Sequence, residues 1–206
     1  MQPDEIWTIV EQERLALADL LDGLTAEQWE TPSLCSSWRV RDVVAHLVLA
    51  TKFTVPVLVF ELIRARGNVD RLIADTAIRY AAKPIPELAA ESRAIAPSRK
   101  HAIGTTPVDR LMDTLVHFQD IAVPLGVRRE MPAAAARVSL ERVWATFGAD
   151  RKFAGLRFEA TDSGWSAGAG PLVAGPTSAL LLTATGRRIG FAELSGDGVA
   201  AAQARD

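Results

Sequence analysis

Asp113-Thr114-Leu115-Val116-His117-Phe118-Gln119-Asp120 is the stretch on which the reading of this chain turns. At ~100° per residue of α-helix, positions 113, 117 and 120 point the same way within about 60°. Their neighbours Leu111, Leu115, Val116 and Ile121 are apolar. Two acids and a histidine therefore form one polar stripe on a helix that otherwise belongs in a core. Burying such a stripe unpaired is expensive, so it needs a partner or a cation. The helix is well delimited: Thr106 stands at the cap, Pro107 at the first helical position, and Pro124 and Gly126 end it. A second acid-x-x-x-histidine lies upstream, Asp42-Val43-Val44-Ala45-His46. Imidazole nitrogens and carboxylate oxygens from two facing helices can close three positions around zinc or a similar ion. The fourth position is then left for catalysis. Spacing alone keeps plainer readings open. His46 can be a satisfied core histidine, Asp42 can serve the dipole of its helix's first turn, and Asp113 and Asp120 can be solvated.

Working outward, residues 4 to 22 have helical apolar spacing, with Gly23 as the stop. Thr25 with Gln28 three residues on reads as a capping box, and an apolar connection leads to Trp38. One helix is expected from Val40 toward Arg66, kinked or broken near Phe53 by Pro56. Shorter helical runs follow at 70 to 82 and 86 to 96, then the Thr106 helix, then one from Ala133 to Phe147. Beyond Gly148 the texture changes. Phe153 to Ala160 contains a strand-like alternation, Ser163 to Pro176 is rich in Gly, Ser and Pro, and 177 to 186 reads as a short buried helix. The expected organisation is a helical part, 1–148, and a small α+β portion, 149–206, docked on it.

The chain has 206 residues, 49% of them hydrophobic, enough for a sizeable core. With 25 acids against 23 bases it has no basic footprint for phosphate backbones, which argues against a nucleic-acid partner. The longest apolar stretch, Val55 to Ile63, is interrupted by Pro56 and Glu61 and falls short of the ~20 residues of a membrane span. A single cysteine, Cys35, and a start, MQPDEIW, without a basic leader favour a reducing, cytoplasmic setting. Cys35 has no histidine near it in sequence and reads as a small apolar side chain. Trp29 and Trp38 read as plugs for the end of the helices, His101 as an exposed loop residue, and Arg187-Arg188 as a solvated turn. The Gly-rich run 164–175 lacks the strand, lysine and helix order of a phosphate loop.

The stretch Glu27–Leu47, EQWETPSLCSSWRVRDVVAHL, resembles the N-terminal signature of the mycothiol-dependent maleylpyruvate isomerase family, within the DinB-like metal-binding four-helix-bundle superfamily. DTLVHFQDIAVPLG, from Asp113 to Gly126, resembles that family's second signature. FEATDSGW, GAGPLVAGP and ELSGDG resemble its small C-terminal portion, while residues 68 to 105 match nothing. The resemblance implies a mainly α fold, an up-down four-helix bundle with a C-terminal α/β appendage. It implies a divalent metal, usually zinc, held by His46, Asp113 and His117, with Asp120 in a catalytic or supporting role. Asp113 stands where the family usually has glutamate. Being one methylene shorter, it leaves open whether the carboxylate meets the ion directly or through water. Arg39 stands where the family often has Ser or Thr as helix cap, which would leave Asp42 serving only the dipole. The implied activity joins the actinobacterial thiol mycothiol, as co-substrate, to a small electrophile, by isomerisation or transfer, in a monomer or homodimer. A catalytically silent metal- or ligand-binding bundle is the alternative.

Overall fold

The structure is a computed structural model that describes residues 1–102 and 104–205. Its first six helices are α1 (Pro3–Asp22), α2 (Ala26–Trp29), α3 (Val40–Leu49), α4 (Val55–Arg64), α5 (Val69–Tyr80) and α6 (Ile85–Ala94). They are followed by α7 (Pro107–Ala122), α8 (Ala133–Thr146) and α9 (Ala149–Lys152). Then come strands β1 (Arg157–Ala160), β2 (Ser166–Gly168) and β3 (Leu172–Gly175), helix α10 (Thr177–Ala184), a 3₁₀ turn (Arg188–Glu193) and α11 (Val199–Gln203). The chain forms two compact units, Gln2–Arg128 and the part from Arg129 onward. This division falls at 128, where the sequence texture places it at 148. Helical texture alone groups α8 with the bundle. Its buried face of Ala135, Ala136, Ser139, Leu140 and Val143 belongs to the second unit, where α8 packs on α10 and α9.

In the first unit α1 lies against α6 and α7, and α3 lies against α5, α6 and α7. Leu17, Leu21, Trp29, Val40, Val43, Val44, Leu88, Phe118 and Ile121 fill the space between them. Trp29 is a core residue at 1% exposure, where it plugs the bundle as expected. α7 starts where Thr106 and Pro107 predict. The Thr106 hydroxyl accepts from the Asp109 amide, and the Asp109 carboxylate accepts from the Thr106 amide at 2.7 Å. Of the kink or break that Pro56 predicts, the chain takes the break. The long helix expected from Val40 is two helices, with Pro56 in the first turn of α4, where its missing N–H costs nothing. None of α4's residues is buried, and Phe60 and Ile63 are 62% and 73% exposed. Among the described residues no helix is long and apolar enough to cross a membrane.

In the second unit β1 is central, antiparallel to β2 and parallel to β3. The sequence reading found only β1, because β2 and β3 are short and lie in the Gly- and Pro-rich run. Gly170 makes the tight return possible. Its φ is +126°, and a Cβ there would stand 2.1 Å from the Gly155 carbonyl oxygen. Phe153 and Phe158, 4.9 Å apart, and Trp144, 5.0 Å from Phe158 and 5.4 Å from Trp165, form the aromatic core of this unit.

Candidate metal centre

α3 and α7 pack face to face, and each carries one of the two histidines. The α-helical period turns His46 inward from α3 and places Asp113 and His117 one turn apart on α7. His46 Nε2 lies 3.2 Å from Asp113 Oδ1, and His117 Nε2 lies 3.4 Å from the same oxygen. The three donor atoms all fall within 4.8 Å of one another. Tetrahedral zinc with nitrogen and oxygen ligands sets neighbouring donors about 3.3 Å apart, so the residues fit a divalent ion. The two imidazoles and one carboxylate are also a donor set suited to zinc. Asp113 needs no extra methylene for this: its Oδ1 already meets both imidazole nitrogens.

A second layer fixes these groups. Asp120 is fully buried, and its Oδ2 stands 2.7 Å from His117 Nδ1. A carboxylate on one ring nitrogen leaves the other for a ligand role. Arg110 Nη1 donates to Asp113 Oδ2 at 2.6 Å. Trp38 tilts over both imidazoles, its ring centroid 5.3 Å from that of His46 and 6.2 Å from that of His117. It lines the site as well as closing the bundle end.

Cys35 is the residue that sequence reasoning set aside. Its Sγ is 3.4 Å from Asp120 Oδ2 and 4.0 Å from His117 Nδ1, and these three residues form a second group able to hold an ion. The loop from Thr31 to Arg39 brings it there. The Ser33 amide bonds the Trp38 carbonyl, the Val40 amide bonds the Thr31 carbonyl, and the Leu34 amide donates to the Asp120 carbonyl at 3.1 Å. Asp42 does more than serve the helix dipole. It accepts the Arg39 amide at 2.8 Å and both ends of the Arg39 guanidinium at 2.9 Å, so the N-terminal cap survives without Ser or Thr. His101 is exposed, as read, and stacks beside Trp7.

Burial holds the His46 imidazole below its usual value, and Asp113 only partly opposes it. Burial also works against an ionised Asp113. Arg110, helped by the two imidazoles, nevertheless holds its carboxyl well below the usual carboxylate range. For His117 the balance reverses: burial disfavours the cation, but its hydrogen bonds with Asp113, Asp120 and Cys35, the two carboxylates accepting, raise it well above an ordinary histidine.

Residues 10–110 match the sequence profile of the mycothiol maleylpyruvate isomerase N-terminal domain. The first part of the chain thus carries the N-terminal domain of the mycothiol-dependent maleylpyruvate isomerase family. The fold agrees: a crystal structure of mycothiol-dependent maleylpyruvate isomerase superposes with a TM-score of 0.69 at 14% identity, over 96% of this chain and 93% of that one. A histidine-to-alanine mutant of that protein gives the same figures. The chain thus has the DinB-like bundle of the isomerase. Among curated proteins none is similar in sequence. The profile match includes Cys35, Trp38 and His46 and ends before Asp113, so the α7 half of the site rests on the geometry above.

Proposed function

We propose that this chain is a metal-dependent enzyme that uses a low-molecular-weight thiol, mycothiol in the family's name, to isomerise or modify a small electrophile. The observation that carries the reading is the convergence of His46, Asp113 and His117 on one point. Their side chains keep 16%, 19% and 11% exposure, so that point is not sealed from solvent. When bound, a divalent ion such as zinc stabilises a thiolate near neutral pH. The protein's own residues set the stage. His46, Asp113 and His117 are the ligands. Asp120 accepts the His117 Nδ1 proton, fixes the tautomer and aims Nε2 at the ion, so it acts through His117 as a positioning residue. Trp38 walls the imidazoles. The thiol sheds its proton to solvent and its sulfur bonds one carbon of an activated double bond, whose π electrons move onto the neighbouring electron-withdrawing group. In isomerisation that carbon rotates about the former double bond, the sulfur–carbon bond breaks and the thiol returns unchanged. In transfer the displaced electron pair takes up a proton instead, and the saturated adduct is the product. A reducing cytoplasm, where free thiols persist, suits this chemistry.

Elemental analysis of the untagged protein beside His46→Ala tests the reading. About one divalent ion per chain, lost in the variant, is expected, and His117→Ala loses both the ion and thiol-dependent activity. A wild-type protein that stays empty after zinc is added, or a fully active His117→Ala, overturns it.

A further inference from the structure

Asp113 carries two oxygens, and only one of them faces the histidines. Oδ1 meets His46 and His117, while Oδ2 is held at 2.6 Å by Arg110 Nη1, from the preceding turn of α7. The same guanidinium reaches across to α3, where Nη2 donates to the Ala50 carbonyl at 3.4 Å. Ala50 caps α3 one turn beyond His46. One buried side chain, 5% exposed, therefore grips the end of the His46 helix and the carboxylate of the His117 helix together. Arg14, the other buried cation nearby, has its Nη1 on the carbonyls of Ile95 and Ser98, so the grip on Asp113 belongs to Arg110.

We propose that Arg110 is a positioning residue that keeps Asp113 a single-oxygen ligand and locks the spacing of the two ligand helices, which preserves an open coordination position. The inference rests on the metal reading above. A carboxylate free to turn can chelate with both oxygens and fill the position a thiol needs. With Oδ2 occupied by a charge-assisted bond, that geometry is closed to Asp113.

The test is a titration of the metal-free protein with cobalt(II), read by its visible absorption, with folding checked by circular dichroism. Wild type is expected to bind one cobalt with the intense bands of a four-coordinate ion. Arg110→Met, similar in length but without donors, is expected to bind on the order of tenfold or more weakly, with weaker bands typical of higher coordination. Arg110→Lys, which retains one bond to Oδ2, is expected to recover the wild-type spectrum in large part. Should Arg110→Met not fold, Arg110→Gln carries the same expectation. Wild-type affinity and spectrum in the folded Met or Gln variant overturn the role of Arg110 while leaving the metal site standing. A wild-type protein that binds no cobalt overturns the metal reading, and this inference with it.

Discussion

His117 presents both ring nitrogens to carboxylates, Nδ1 to Asp120 and Nε2 to Asp113, so without an ion the imidazolium is favoured. A divalent ion must then displace a proton from Nε2. Metal affinity is expected to rise with pH up to the raised value of His117, and calorimetry in buffers of different ionisation enthalpy should count a proton released per ion. In the metal-free protein the signs are opposite for the two partners. Asp113, lowered, stabilises above about pH 4 and loses that contribution as pH falls toward its folded value. His117, raised, stabilises below about pH 6.5 and loses it as pH climbs through its folded value. Asp120→Asn should weaken metal binding by roughly 10–100-fold, measured by competition with a chromophoric chelator. Cys35→Ala should keep one ion per chain by elemental analysis, which separates the His46 group from the Cys35 group. The shared face of Asp113, His117 and Asp120 was legible in the helical period, while their grouping with His46 was what the family resemblance implied. Cys35 was not: it lies 82 residues from His117, and only the fold of its loop brings the two together.

At the level of elements, the start of α3 depends on a substitute cap. Asp42→Ala removes the bond to the Arg39 amide and the guanidinium clamp together, and should cost about 1–2 kcal/mol, seen as a lower urea midpoint. Glu91 on α6 ties its helix to Tyr80 at the end of α5 and to the lysines that follow α3 and α5. Burial opposes its charge, but Lys52, Tyr80 and Lys83 draw it down to about 2. A lowered carboxyl stabilises above its unfolded value and loses that contribution as pH falls toward 2. Acid titration of wild type should therefore show a loss that Glu91→Gln, already weaker at neutral pH, lacks. Helix starts were readable at Thr25, Thr106 and Pro132, where Thr or Pro stands at the cap. The break after α3 was half readable, since Pro56 forbids an uninterrupted helix without saying whether the chain kinks or restarts. β2 and β3 had no pattern of their own because pairing with β1 defines them.

For the whole molecule, the division after Arg128 leaves every candidate ligand in the first unit. Gly190→Ala would press a Cβ to 2.5 Å from the Ala179 carbonyl oxygen and the Thr183 hydroxyl. It should lower thermal stability by roughly 1–3 kcal/mol while the metal content stays unchanged. The mainly α character of the first unit could be read from periodicity, but the boundary could not, because α8 has the same helical texture as the bundle and only its buried face assigns it. The ligand arrangement also shapes how such a chain can change over time. Asp113 and His117 meet because four residues make about one turn, and a single codon inserted or deleted between them rotates one by about 100° from the other. Substitutions can retune this centre one side chain at a time, whereas a change of length in the heart of α3 or α7 dismantles it at a stroke. Drift in length is thus confined to the connections, and the centre is inherited as a fixed reading frame of helical turns.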